Sequence, residues 1–154
     1  MDTKNPSLDK VQVRAAVPED LEIVAMIEKE VFSEPWSLDG FKQALSSSDN
    51  VVLVISDETD IYGYLVLYTS MDEGELMTIA VRPGFRGYGL ADKLVKTMVE
   101  EGRRRGLVNI FLEVRKTNEA AKSLYRKNGF IAVGERKNFY RFPTEDAIIG
   151  RLSL

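Results

Sequence analysis

Residues 77–91 read Met77-Thr78-Ile79-Ala80-Val81-Arg82-Pro83-Gly84-Phe85-Arg86-Gly87-Tyr88-Gly89-Leu90-Ala91. An apolar run typical of a strand stops at a Pro-Gly pair, and a glycine-spaced turn then leads into an amphipathic helical pattern. A strand, a tight turn and a helix in this order aim several backbone N–H groups at one point, and glycine lets a ligand approach the backbone closely. We therefore expect an anion site, suited to a phosphate or pyrophosphate, where the helix begins.

Two commoner phosphate-binding loops do not fit this turn. It lacks the G-x-x-x-x-G-K-[ST] pattern of nucleotide hydrolases and the full G-x-G-x-x-G pattern of dinucleotide-binding folds. A glycine pair before a helix also occurs in tight strand-to-helix connections that bind nothing, so the turn by itself leaves both interpretations open.

The flanking segments alternate between strand-like and helical patterns. Strands are expected at 11–15, 51–56, 61–69, 75–81, 109–114, 131–137 and 146–152, and helices from Pro18, from Ser37 as N-cap, from Leu90 and over 118–127. Trp36 is placed to act as a hydrophobic staple, and Gly102 or Gly106 closes the third helix. The order β-α-α-β-β-β-α-β-α-β-β mixes hairpins with βαβ crossovers, which predicts an α/β fold with a mixed sheet flanked by helices.

Composition limits the chemistry that the chain can perform. Its 154 residues suffice for one domain, which we place at residues 11–154 behind a flexible leader of residues 1–10. The sequence has no cysteine and no histidine, which excludes thiolate nucleophiles, Ser-His triads and metal sites with sulfur or imidazole ligands. Catalysis must therefore use carboxylates, tyrosine, lysine, hydroxyls or backbone groups.

Charge and hydropathy indicate the kind of partner. The net charge is −3 with both signs mixed, and the one basic cluster, residues 103–105, fits a helix end rather than a nucleic-acid site. No apolar run has the length of a signal peptide or a membrane span. We expect a soluble cytoplasmic protein that binds neither nucleic acid nor membrane, as a monomer or a weak homodimer.

The segment at 77–91 resembles the acetyl-coenzyme A signature of the GNAT superfamily of N-acetyltransferases. Arg86, Gly89 and Ala91 fill the three defined positions of its core pattern, Q/R-x-x-G-x-G/A. The resemblance continues through residues 112–115, Asn118, 120–121, 124–125 and 129–130, and covers about residues 11–152. Residues 35–37, 138–140 and 145–149 are similar to those of bacterial ribosomal-protein-alanine N-acetyltransferases. The fold implied is a mostly antiparallel sheet of about seven strands with about four helices.

The resemblance implies acetyl-CoA as the acetyl donor. In such enzymes the strand before the turn splays from its neighbour and pairs with the pantetheine arm, a position that Ile79, Ala80 and Val81 match. The phosphates would lie against Arg86, Gly87, Tyr88, Gly89, Leu90, Ala91 and Asp92, and Asn118, an expected helix N-cap, would add a hydrogen bond. Because Gly87 and Asp92 stand where relatives often carry basic residues, this turn has less positive charge than the family pattern.

Family position makes Glu113 the general base and Tyr125 the general acid. A carboxylate can take a proton from the acceptor amine, directly or through water, and a phenol can protonate the departing CoA thiolate. The residues alone also allow a second interpretation. Glu113 would then be an exposed strand residue paired with Arg115 or a neighbour, and Tyr125 would be ordinary half-buried packing.

The most similar group implies a protein N-terminus as the acceptor, with a ribosomal protein as the preferred candidate and no metal. Trp36 and Tyr140 are the candidate acceptor-binding residues, although an aromatic pair such as Phe139-Tyr140 is also typical of a core. Two alternatives stay open. One is transfer to a lysine side chain or a small-molecule amine, and the other is a module that binds acyl-CoA without catalysis.

Overall fold

The computed structural model describes residues 10–154, so residues 1–9 of the expected leader lie outside the described part of the chain. The strands are β1 (Gln12–Ala15), β2 (Val51–Ser56), β3 (Ile61–Ser70), β4 (Glu73–Val81), β5 (Asn109–Arg115), β6 (Ile131–Tyr140) and β7 (Glu145–Ser153). The helices are α1 (Leu21–Val31), α2 (Leu38–Ser46), α3 (Leu90–Arg104) and α4 (Glu119–Lys127), with a 3₁₀ turn at Pro18–Asp20. The predicted order of elements is confirmed, and only their ends differ.

All seven strands form one sheet in the order β1-β2-β3-β4-β5-β7-β6. Every neighbouring pair is antiparallel except β4 and β5, which are parallel and joined through α3. The expected mixed and mostly antiparallel sheet is therefore confirmed. The order of helices and strands was sufficient to predict this sheet, because antiparallel neighbours can be joined by short hairpins whereas a parallel pair needs a longer crossover.

The helices begin where local chemistry places their caps. Gly40 N donates to the hydroxyl of Ser37 at 3.2 Å, and Ala121 N donates to Asn118 Oδ1 at 3.1 Å. The ring of Trp36 packs 5.3 Å from that of Phe41, which is the expected hydrophobic staple at the start of α2. These contacts explain why α2 and α4 start one residue after Ser37 and Asn118.

At the end of α3, only one of the two candidate glycines closes the helix. Gly106 follows the helix with φ of +79°, whereas Gly102 lies inside α3 and is buried. In the basic cluster at the same end, Arg104 and Arg105 pair with Glu101, and the Arg105 guanidinium also donates to the carbonyls of Ser48 and Asp49. This cluster therefore stabilises a helix end and its neighbouring loop.

Two cores lie on opposite faces of the sheet. The larger core packs α3 and α4 against one face, and the smaller core packs α1 and α2 against the other face of β2, β3 and β4. Along β5 the side chains alternate, with Ile110, Leu112 and Val114 buried in the larger core while Phe111, Glu113 and Arg115 lie on the other face. This alternation, predicted from the sequence, places Glu113 on the face that carries α1 and α2.

The parallel pair in the middle of the sheet separates soon after it forms. Strands β4 and β5 pair only at Glu73–Asn109, Gly74–Ile110 and Glu75–Phe111, although both strands continue beyond these residues. The register of β4 with β3 shifts at Met77, a bulge of the kind that bends and twists a strand. Residues 76–81 of β4 consequently pair with β3 on one side and leave the side toward β5 open.

The described residues contain no helix that is long and apolar enough to cross a membrane.

Candidate functional site

The turn between β4 and α3 has the backbone that its glycines predict. Gly84, Gly87 and Gly89 have φ values of +94°, +87° and +77°, a region that other residues adopt only with strain. A Cβ at any of them would meet no atom within 4 Å, so glycine is needed here for backbone conformation and not for space. The outer face of the turn is therefore open to a ligand.

Backbone donors collect at the start of α3. The first helical hydrogen bond runs from Lys93 N to Gly89 O at 3.2 Å. The N–H groups of Leu90, Ala91 and Asp92 therefore have no helical acceptor, and among the described residues they have no other. Tyr88 is half-buried against the larger core, which anchors the turn while Gly87 and Gly89 stay exposed. This arrangement suits an anion.

The Arg86 side chain is hydrogen-bonded to the backbone of β4. Its Nε donates to the carbonyl of Val81 at 3.3 Å, which closes the turn back onto the end of β4. At this position the side chain braces the turn, and the backbone N–H groups at the start of α3 are the donors left for an anion.

The carboxylate of Asp92 is neutralised by its neighbours. Lys96 Nζ lies 2.8 Å from Oδ2, and Lys127 Nζ and Asn128 Nδ2 lie 3.5 and 2.9 Å from Oδ1. The hydrogen bond from Lys96 holds the pKa of Asp92 below its usual range. The charge that would repel a pyrophosphate is thus directed toward the end of α4 and compensated there.

Glu113 lies in a partly buried position beside a cation. Its side chain is 17% exposed, and Arg136 Nε approaches Oε2 to 2.8 Å without the alignment of a hydrogen bond. Burial raises the pKa of Glu113, the Arg136 charge opposes this, and the Glu75 carboxylate adds to it. Of the pairings in the alternative interpretation, Arg115 or a neighbour, the first is not formed, because Arg115 instead binds Glu145 at 3.2 Å. The cation beside Glu113 is Arg136 on β6, and no local sequence pattern relates β6 to β5.

Tyr125 is buried in the larger core, on the opposite face of β5 from Glu113. Its ring lies edge-on to Phe130 with centroids 5.7 Å apart, and burial raises the pKa of its phenol. The half-buried Tyr140 lies close enough to feel the charge of Glu113 and to influence Tyr125, and burial raises its own pKa to about 12. Arg115 covers the Tyr140 ring at 4.5 Å. Tyr140 is therefore electrostatically coupled to both candidate catalytic residues.

An open cleft of about 510 Å³ lies where β4 and β5 stop pairing. It is lined by the end of β3, the start of β4, the middle of β5, single residues of β6 and β7 and the residue before β2, namely Asn50, Tyr68, Thr69, Ser70, Glu73, Gly74, Glu75, Phe111, Leu112, Glu113, Arg136 and Ile149. Trp36 borders a neighbouring cleft of about 270 Å³ with Ser37, Gly40, Gln43 and Tyr68. Because Tyr68 borders both, the two clefts are adjacent, and Trp36 lies next to the one that contains Glu113.

Three lining residues were missed by reasoning from the sequence: Tyr68, Glu75 and Arg136. Tyr68 shares a strand face with Tyr64 and Val66, a pattern that could have placed it on the same side as α1 and α2. Glu75 and Arg136 looked like solvent-exposed strand charges, and nothing local distinguishes them from such charges. In the described residues no group of three or more acidic side chains could hold a metal ion.

Comparison with known proteins gives one family. The family model for the acetyltransferase (GNAT) family matches residues 20–130. A Bacillus subtilis protein, provisionally named [ribosomal protein bS18]-alanine N-acetyltransferase, is 35% identical over 141 residues, which cover 91% of this chain and 93% of that protein.

Solved structures with this fold include a ribosomal-protein-alanine N-acetyltransferase and a chain of the NatC complex. The ribosomal-protein-S18-alanine N-acetyltransferase from Escherichia coli superposes with a TM-score of 0.87 at 28% identity, over 93% of both chains. A chain from the NatC complex bound to Gag peptide and CoA superposes with a TM-score of 0.82 at 22% identity, over 94% of this chain and 99% of that one. The second likeness extends to the fold alone.

Proposed function

The chain belongs to the acetyltransferase (GNAT) family, and from this membership we propose that it acetylates the N-terminal α-amine of a protein, with a ribosomal protein as the preferred acceptor. It is an acetyl-CoA-dependent N-acetyltransferase, which sets aside the alternative of a module without catalysis. The acceptor is taken from the relatives, whose names specify the alanine of ribosomal protein bS18. A cytoplasmic location is part of the same proposal.

The divergence of β4 from β5 is the observation that carries this proposal. Residues 76–81 offer unpaired backbone groups on the side toward β5, and an amide-rich pantetheine arm can pair with them as an added strand. Ile79, Ala80 and Val81 lie in this open stretch. The turn that follows presents its backbone N–H groups to the pyrophosphate, and the exposed amide of Asn118 retains donors after capping α4.

The same divergence lets two residues on opposite faces of β5 act on one bond. Glu113 lines the cleft on one face of β5, and Tyr125 lies in the larger core on the other face. A thioester placed in the gap is then accessible from both sides. In this mechanism Glu113 takes the proton of the amine that attacks the acetyl carbonyl, and Tyr125 gives its proton to the CoA thiolate that leaves.

The cleft beside Glu113 suits an amine acceptor. Glu73, Glu75 and Glu113 outnumber the single cation Arg136 along its lining, so an approaching ammonium group is attracted. Trp36 and Tyr68 extend the lining toward α2 and supply apolar surface for the first side chains of a peptide. Tyr140, which is half-buried and raised in pKa by the charge of Glu113, would border the reacting amine.

A set of three acceptors tests the choice of amine. The first is a peptide with a free N-terminal alanine and an internal lysine, the second is the same peptide with a formylated N-terminus, and the third is a polyamine. We expect acetylation of the first peptide alone, at its α-amine, as located by tandem mass spectrometry. Equal acetylation of the formylated peptide, or preference for the polyamine, would replace the N-terminal proposal with one of the alternatives.

Exchange of Arg136 for methionine is expected to move the acidic limb of the kcat/KM profile to higher pH. The Arg136 charge lowers the pKa of Glu113, so its removal raises that pKa and keeps the proposed base protonated up to a higher pH. Lys137→Met is the matched control, because Lys137 lies next in β6 but pairs with Asp146 at 3.4 Å. If the acidic limb of the kcat/KM profile stayed at the same pH in Arg136→Met, Glu113 would not be the group that sets it.

A further inference from the structure

Glu28 is a buried carboxylate that the proposed mechanism does not use. It lies on α1 and is 2% exposed. Its Oε1 accepts hydrogen bonds from the hydroxyls of Tyr64 at 2.6 Å and Thr78 at 2.8 Å, and its Oε2 accepts one from the backbone N–H of Trp36 at 3.0 Å. Within residues 10–154 no cation pairs with it. Burying a carboxylate without a cation costs folding free energy. We therefore expect a role for its hydrogen bonds, because an apolar side chain could not make them.

The three partners of Glu28 belong to different parts of the acceptor side of the molecule. Thr78 lies in the stretch of β4 that has separated from β5, and Tyr64 lies on the neighbouring strand β3. Trp36 lies in the connection between α1 and α2 and packs 5.9 Å from Tyr68, which borders both clefts. Glu28 thus joins the α1–α2 connection to the diverging strand through one side chain.

We propose that Glu28 is a positioning residue that holds the α1–α2 connection against β4 and so sets the wall of the acceptor cleft at Trp36 and Tyr68. It touches no reacting atom. The inference rests on the proposed function, because it assigns this wall to the acceptor. Loss of the hydrogen bond from the Trp36 N–H to Glu28 would free the α1–α2 connection, displace the wall of the cleft and weaken acceptor binding. The turn between β4 and α3, which is proposed to bind acetyl-CoA, would be unaffected.

Steady-state kinetics of Glu28→Met measure this effect. Methionine keeps the length and helix propensity of the side chain but accepts none of the three hydrogen bonds. We expect KM for the peptide with N-terminal alanine to rise by about tenfold, whereas kcat and KM for acetyl-CoA change by less than about twofold. A purely structural role would instead lower the active fraction and reduce kcat without this selective rise in KM.

The single tryptophan of the chain gives a second readout that does not depend on turnover. Since Trp36 is the only tryptophan, its fluorescence reports directly on the α1–α2 connection. In Glu28→Met we expect red-shifted emission and stronger quenching by acrylamide, because the indole ring becomes more exposed. If the wild-type enzyme failed to acetylate the peptide, the proposed function would fall, and the fluorescence comparison would still test the role of Glu28.

Tyr64→Phe is the matched control, since it removes one donor to Glu28 and leaves the bond to Trp36. Its KM values and its emission should stay at the wild-type level. If Glu28→Met does not fold, Glu28→Asp replaces it, because the shorter carboxylate cannot reach both the connection and the sheet. The proposal would be overturned if the Glu28 variant that folds kept the wild-type emission and the wild-type KM for the acceptor. It would also be overturned if Tyr64→Phe changed both quantities as much as the Glu28 variant does.

Discussion

Glu113→Gln is expected to lower kcat/KM for the acceptor peptide by about 10²–10⁴-fold. Glutamine has the same shape as glutamate, so the cleft should keep its form, but an amide cannot take the proton of the attacking amine. Burial raises the pKa of Glu113, which makes this carboxylate a stronger base than one in water. The measurement is steady-state kinetics of CoA release, with calorimetry to show that acetyl-CoA still binds.

Glu75→Gln is the matched control for this variant. Glu75 lines the same cleft and carries the same charge, but it is exposed and lies on the other strand. A loss in Glu75→Gln that is much smaller than in Glu113→Gln would support Glu113 as the base. A larger loss in Glu75→Gln would transfer that role to Glu75.

The pH profile gives Glu113→Gln a second test with a definite sign. In the wild-type enzyme kcat/KM should rise with pH as Glu113 loses its proton, with a midpoint above the usual range of a glutamate because its pKa is raised. In the glutamine variant the remaining activity should lose this limb. If the limb persisted unchanged, another group would be the one that titrates.

Tyr125→Phe is expected to lower kcat by about ten- to a hundredfold. Burial raises the pKa of Tyr125, so its phenol stays protonated at neutral pH and is able to donate to a leaving thiolate. The loss should be smaller than for Glu113→Gln, because a thiol is acidic enough to leave in part as an unassisted anion. Single-turnover measurements with saturating acetyl-CoA separate this chemical step from binding.

Tyr140→Phe separates the role of the Tyr125 hydroxyl from the general effect of removing a buried phenol. Tyr140 is coupled electrostatically to both proposed catalytic residues, but it lies at the end of β6 with the Arg115 guanidinium over its ring. It is proposed to border the acceptor. Its removal should raise KM for the peptide more than it lowers kcat. An unchanged kcat in Tyr125→Phe would end the assignment of that residue as the acid and would leave the family membership intact.

Features that depend on neighbours in sequence were accessible without a structure. The caps at Ser37 and Asn118 depend on residues three positions along the chain, and the turn at Gly87 and Gly89 depends on backbone angles that glycine adopts freely. The alternation that places Glu113 opposite Ile110 and Leu112 comes from the pleat of a strand. Local chemistry of this kind, with the resemblance at the turn, was enough to predict the fold, and it gave the proposed donor site its candidate residues.

Features that join distant segments were decided by the tertiary structure alone. Three contacts of this kind join elements that no sequence pattern relates. They are the pairing of Glu113 with Arg136, the ion pair and hydrogen bond that Asp92 receives from Lys127 and Asn128, and the hydrogen bonds around Glu28. The separation of β4 from β5 was implied by the resemblance, and the structure added the point at which it begins, after the pair Glu75–Phe111. The sequence determined the elements and the strand face on which Glu113 lies. Packing across the sheet decided which side chains line the cleft with it, because side-chain partners are selected by proximity in space.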